Sequence, residues 1–163
     1  LMSLFSLLFG FARAEPLKIG AKAPVLNATT DAGTTLNLGE VYAKNNYTLV
    51  WFYPKALTGG CTKQGCSLRD ASADLKKLGV AVIGVSTDPV EKQKEFKEKN
   101  NFSYPLLADT DKKVVKAFGQ SGAMMAGREA YLIDRSGKVV YHDEKQTDKQ
   151  AEMVLAFLKS KTS

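Results

Sequence analysis

At 163 residues, with 44% hydrophobic and 25% charged side chains, the chain has the composition of one globular domain with room for a full core. Its formal charge of +6 would suit an anionic partner. However, lysines and acids alternate from Glu91 to Lys99, the pattern of a solvated helix face, so no nucleic-acid partner is expected. Two cysteines and one histidine do not supply a four-ligand structural zinc site.

Residues 1–14, LMSLFSLLFGFARA, are apolar and end in Ala12-Arg13-Ala14, the small-x-small form that signal peptidase cuts. The run is too short to span a bilayer as a stable helix. It is expected to be a signal peptide cleaved near Ala14/Glu15, leaving residues 15–163 as one domain exported to an oxidising compartment such as the bacterial periplasm. The alternative is a hydrophobic arm that packs on the domain or a partner, with the protein remaining cytoplasmic. No cysteine follows the run, so no lipoprotein anchor forms there and no stable membrane anchor is expected.

From Leu17 to Leu38 the pattern is short strands and turns. Asp31-Ala32-Gly33-Thr34 is a hairpin turn between Val25–Ala28 and Thr35–Leu38. Val41 to Asn46 reads as a short turn or helix. Tyr47 to Tyr53 is β-branched and aromatic and stops at Pro54, which cannot donate to a sheet ladder, so it reads as a buried strand. Thr58-Gly59-Gly60 gives a flexible loop. From Thr62, the spacing of Cys66, Leu68, Ala71, Leu75 and Leu78 predicts one helix.

Val80 to Ser86 reads as a second buried strand, with Asp88-Pro89 as N-cap and first-turn proline of the next helix. Leu106 to Ala108 is an edge or interrupted strand, followed by a helix from Lys112 to Phe118. Ala130 to Asp134 and Lys138 to Tyr141 flank Arg135-Ser136-Gly137 as an antiparallel hairpin. His142 is expected to face solvent. Thr147 to Gln150 forms a capping box, and Ala151, Val154, Leu155 and Leu158 make the apolar face of a last helix. A parallel βαβ half, then a hairpin, then a covering helix is the order of an α/β thioredoxin-like fold: a central mixed sheet flanked by helices, with an N-terminal β-hairpin extension.

Both cysteines lie together, directly after the most apolar strand. Cys61 falls in the first turn of its helix, where unpaired amides and the helix dipole favour thiolate over thiol. The helix end contributes up to ~2 kcal/mol, so a cation elsewhere in the fold is expected to complete the site. Five residues of ideal helix rise about 7.5 Å and put the two α-carbons on the order of 8.5 Å apart. A disulfide requires about 7 Å or less. The pair can therefore bond only after the first turns unwind, a step that Gly65 would ease. A structural disulfide remains the alternative, although its short loop would contribute only roughly 2 kcal/mol.

The string Pro54-x-x-x-Thr58-x-x-Cys61 resembles the active-site motif of peroxiredoxins, the AhpC/TSA-type thioredoxin-like superfamily. Cys66 with Ser67-Leu68-Arg69-Asp70 is similar to the bacterioferritin comigratory protein, or peroxiredoxin Q, branch. The likeness runs from about Leu17 to Leu158. It includes Gly20 to Pro24, Val85 to Asp88, Pro105 to Asp109 and Arg128 to Asp134.

The resemblance implies a peroxidase reducing hydrogen peroxide and organic hydroperoxides, with Cys61 peroxidatic and Cys66 resolving. It makes Thr58 a hydrogen-bonding partner of thiolate and peroxide, Pro54 a shield against water, and Arg128 the missing cation. Arg128 and the amides of Gly60 and Cys61 would stabilise charge on the peroxide oxygen. It further implies a thioredoxin-like protein reductant, no metal, flavin or haem, and a monomer or weak homodimer.

Gly59 stands where the family pattern has proline, Gln64 where it has glutamate, and Glu129 where it has a small polar residue; residues 119–127 form a shortened loop. These departures bear on rate and substrate preference. Rival readings are a protein thiol-disulfide oxidoreductase, which usually carries Cys-x-x-Cys, and a non-catalytic thioredoxin-fold binding module.

Overall fold

The computed structural model describes residues 17–120, 128–144 and 148–161. The expected signal peptide, residues 121–127 of the shortened loop, and Thr147 of the capping box lie outside the described residues. A hairpin of β1 (Asn27–Thr29) and β2 (Thr35–Asn37) turns at Gly33, which has the positive φ of +76° that glycine tolerates. Helix α1 (Leu38–Lys44) begins earlier than the sequence predicts, because the Asn37 side chain caps it by accepting the Glu40 amide at 3.0 Å.

Next come β3 (Tyr47–Phe52), α2 (Gly59–Asp70), α3 (Ser72–Lys77) and β4 (Val80–Ser86). They are followed by α4 (Val90–Asn100), β5 (Leu106–Ala108), α5 (Lys113–Ala117), β6 (Glu129–Asp134), β7 (Val139–Glu144) and α6 (Gln150–Lys161). The single helix predicted from Thr62 to Leu78 is two. The chain bends at Ala71 (ψ 2°), which lets α2 and α3 each bury a leucine, Leu68 and Leu75. Each such burial contributes about 1.5–3 kcal/mol.

The main sheet has the order β5-β4-β3-β6-β7, with β3, β4 and β5 parallel and β6 and β7 antiparallel. Both faces are covered, so β3 and β4 are apolar almost throughout instead of alternating. On one face Leu49, Trp51, Tyr53, Val82 and Leu132 pack with Leu68, Leu75, Phe96, Val154 and Leu158 of α2, α3, α4 and α6. On the other, Val50, Phe52, Val85, Tyr131 and Ile133 meet Leu38 and Tyr42 of α1 and Val114 and Val115 of α5. Gly84 makes room for Trp51, since a Cβ there would lie 3.1 Å from the indole and 2.6 Å from Leu106. The N-terminal extension reaches both sheet edges. The Asp31 amide and carboxylate bond the backbone of Leu106, and Gly20, Ala21 and Ala23 bond that of Gly137 and Val139.

Two local expectations change. Asp88 does not cap α4, whose N-cap position is Pro89; the carboxylate turns back to the Ser86 hydroxyl and the Ala56 amide. Gln150, whose expected capping partner Thr147 lies outside the described residues, directs its carboxamide to Asp143 and Gln64. His142 lies within β7, 16% exposed, with its ring stacked on Tyr131 at 4.3 Å. The register Tyr131↔His142 puts the imidazole against an aromatic neighbour, which sequence position alone does not reveal.

Candidate active site

Cys61 is the third residue of α2, directly after the loop that leaves β3, and its side chain is fully buried. Both cysteines are free thiols within one continuous helix. That agrees with the expected reduced, helical state, in which ideal geometry keeps the pair too far apart to bond. Cys66 is partly exposed, with its sulfur 3.8 Å from Asn100 Oδ1.

Arg128, the residue before β6, lies over the first turn of α2. A Cβ on Gly60 would fall 2.6 Å from its Nη2 and 2.9 Å from its Cζ and Nη1. Residue 60 must therefore be glycine for the guanidinium to rest there. Arg128 Nη1 is buried without a hydrogen-bond partner among the described residues. A buried charged donor is costly unless paired. Beside a helix N-terminus, this one is oriented to meet an anion or a developing oxyanion.

The loop between β3 and α2 is held from beneath. Asp88 accepts the Ala56 amide at 2.7 Å and the Ser86 hydroxyl at 2.5 Å; Gln93 Nε2 donates to Ser86 Oγ at 2.7 Å and to the Leu107 carbonyl at 2.9 Å. The Tyr53 hydroxyl completes the chain by donating to Gln93 Oε1. Burial pushes the Tyr53 phenol well above its ordinary range, with Asp88 and Cys61 adding to the shift, so it remains a neutral donor.

Pro54 and Thr58 stand at either end of this loop. Thr58 occupies the N-cap of α2, but its hydroxyl donates to the Lys55 carbonyl at 2.8 Å. A hydroxyl has one proton, so Thr58 would have to rotate to donate to sulfur or peroxide. The loop network escaped the sequence reading, although Val85 to Asp88 carried its signal.

Farther along α2 three contacts secure the helix. Gln64, fully buried, donates to Gln150 Oε1 at 3.0 Å, and Gln150 donates to Asp143 at 3.0 Å. The Tyr104 hydroxyl donates to the Gly65 carbonyl at 2.9 Å, and a Cβ on Gly65 would lie 2.5 Å from Phe102 Cζ. Gly65 is thus required for close packing, beyond its expected role in easing unwinding. Arg69 pairs with Asp70 at 2.9 Å and also donates to the Asn100 carbonyl at 2.7 Å.

A buried thiol in the first turn of a helix, next to a Gly60 that carries a guanidinium whose Nη1 has no partner among the described residues, in a thioredoxin-like fold, defines a thiol-based redox protein. Residues 19–142 match the AhpC/TSA family. The chain is 39% identical over 154 residues to peroxiredoxin Bcp of Escherichia coli, covering 89% of this chain and 97% of that one. It superposes on the crystal structure of peroxidoxin BcpB from Mycobacterium tuberculosis with a TM-score of 0.83 at 31% identity, covering 88% and 97% of the two chains. It also superposes on the Xanthomonas campestris bacterioferritin comigratory protein, described for its alkyl peroxide reduction activity, with a TM-score of 0.77 at 25% identity over 86% and 98%. The chain belongs to the AhpC/TSA family, in its Bcp and peroxiredoxin Q branch, and is a thiol peroxidase.

Proposed function

We propose that Cys61 is the peroxidatic and Cys66 the resolving residue of a peroxidase that takes hydrogen peroxide and small organic hydroperoxides. The observation that carries this reading is the buried Cys61 beside Gly60, over which lies the Arg128 guanidinium, its Nη1 without a partner among the described residues. Cys61 thiolate attacks one peroxide oxygen and the O–O bond breaks. The products are a sulfenic acid and, once the leaving oxygen is protonated, water or an alcohol.

Arg128 and the first-turn amides stabilise the charge on the departing oxygen. The first turns of α2 then unwind, and the Cys66 thiol condenses with the sulfenic acid to form the disulfide and release water. A thioredoxin-like dithiol reduces the disulfide by exchange.

Full burial of Cys61 disfavours the protein thiol-disulfide oxidoreductase reading, since a small peroxide reaches a buried sulfur more readily than a protein disulfide does. The reading extends to export. The apolar run ending in Ala12-Arg13-Ala14 supports a signal peptide, with residues 15–163 as the working domain, monomeric or weakly dimeric. Among the described residues no helix is long and apolar enough to cross a membrane.

The test is mass analysis of thiols after one equivalent of hydrogen peroxide. Wild-type protein should yield a Cys61–Cys66 disulfide, Cys66→Ser should accumulate sulfenic acid at Cys61, and Cys61→Ser should not turn over. Appreciable residual turnover in Cys61→Ser would overturn the assignment.

A further inference from the structure

Glu129 and Glu144 stand directly opposite each other across the β6/β7 ladder, and Tyr131 stands opposite His142. Directly opposed residues share a sheet face, as do residues two apart on one strand, so all four side chains occupy one face. Tyr131 packs with the core on the α1 and α5 side, the face away from Cys61.

Glu129 Oε2 lies 3.1 Å from His142 Nε2 and accepts the Tyr131 hydroxyl at 2.8 Å. The donor atoms of Glu129, His142 and Glu144 all fall within 4.8 Å of one another. Two carboxylates set directly opposite in a ladder repel, and this pair lies together with an imidazole nitrogen inside that distance.

We propose that Glu129, His142 and Glu144 form a binding site for a divalent first-row transition metal ion, with Zn2+ as its simplest representative. One imidazole nitrogen and two carboxylates are a borderline donor set, suited to Zn2+, Mn2+, Fe2+ or Co2+. Ca2+ and Mg2+ prefer an all-oxygen shell, and Cu+ prefers sulfur. Neutral imidazole with two carboxylates also balances the charge of a divalent ion.

Zn–N and Zn–O bonds of about 2.0–2.2 Å place tetrahedral donors roughly 3.4 Å apart. The Glu129–His142 separation of 3.1 Å is already close to this value. Glu144 is exposed, with its donor oxygen within 4.8 Å of the other two, a gap that bound metal would have to close. Three protein ligands leave a fourth position for water.

The supporting shell is also present. Tyr131 hydrogen-bonds the Glu129 carboxylate, and its ring stacks on His142 at 4.3 Å and 10°, fixing the imidazole plane. Glu129 and His142 are held in the folded hairpin at 18% and 16% exposure, unlike a chance group of surface acids.

The test uses tag-free protein carrying Cys61→Ser and Cys66→Ser, so that no thiolate competes for metal. Zn2+ is titrated by isothermal calorimetry, and the ring nitrogens of His142, the chain's sole histidine, are followed by NMR. One ion per chain should bind, with His142 ring resonances shifting in step. Glu144→Gln, a surface change that spares the core, should weaken binding by about tenfold or more. Absence of one-to-one binding, unmoved His142 resonances, or an affinity indifferent to Glu144→Gln would each overturn the proposal.

Discussion

The Arg128 guanidinium occupies the space where a side chain at residue 60 would stand, with Nη2 2.6 Å from the position of a Gly60 Cβ. Gly60→Ala therefore pits local helix preference, which favours alanine by up to about 1 kcal/mol, against the placement of the cation. The expected result is a protein of similar stability whose oxidation by peroxide is slowed. Arg128→Ala should slow it on the order of 100- to 1000-fold, the usual effect of losing an oxyanion donor, with little change in urea unfolding. Second-order rate constants unchanged in both variants would reject the role given to Arg128.

The bond from the Tyr104 hydroxyl to the Gly65 carbonyl, 2.9 Å long, holds the segment of α2 between the two cysteines. If the bond is lost when α2 unwinds, Tyr104→Phe should shift the local equilibrium towards the unwound state. A net value of about 1 kcal/mol corresponds to roughly fivefold in that equilibrium. Disulfide formation after the first oxidation should accelerate by up to this factor, while the first oxidation itself is unchanged. Equal effects on both phases would show that Tyr104 acts on the site as a whole.

Gly65 meets Phe102 so closely that Gly65→Ala would set a methyl 2.5 Å from the ring. Alanine gains about 1 kcal/mol of helix propensity, but overpacking typically costs about 1–3 kcal/mol. Net destabilisation is expected in urea denaturation. Phe102→Leu in the same chain should recover part of it. A stabilised single variant would mean that the helix yields without strain.

Asp143 is buried, accepting Gln150 Nε2 at 3.0 Å and the Tyr141 hydroxyl at 3.2 Å. Burial pushes its carboxyl above the usual range, and the bonds from Gln150 and Tyr141 offset only part of the shift. Between the unfolded and folded pKa the native state binds more protons than the unfolded chain. Asp143 therefore lowers stability as pH rises through that window.

Asp143→Asn keeps the acceptor for Gln150 and offers an N–H to the Tyr141 oxygen. It should melt higher than wild type at neutral pH, with the advantage shrinking to nothing in acid below the unfolded carboxylate pKa. An advantage independent of pH, or of opposite sign, would contradict this account.

Much of the fold was legible because β3 and β4 are buried on both faces and declare themselves as apolar runs; Val80 to Ser86 and Leu106 to Ala108 were placed to the residue. Cys61 could be read from its position after such a strand. What sequence spacing could not supply was long-range register. Arg128 over Gly60 joins residues 68 positions apart, and the Gln64–Gln150–Asp143 chain links α2, α6 and β7.

The same holds for Glu129 opposite Glu144, which depends on where a bulge between Leu132 and Ile133 shifts the pairing. Asp88 was misread for a related reason. Its sequence context matches an N-cap, but the tertiary demand of the Ala56 amide takes its carboxylate.

The most direct test of the account is stopped-flow fluorescence of fully reduced protein mixed with stoichiometric hydrogen peroxide. The reporter is Trp51, the chain's single tryptophan, buried with its ring 4.5 Å from that of Tyr53. The account predicts a fast phase for oxidation of Cys61, then a slower phase that coincides with appearance of the Cys61–Cys66 disulfide. Oxidation no faster than that of a free cysteine would contradict it, because it would mean that Arg128 and the start of α2 do not act together on peroxide.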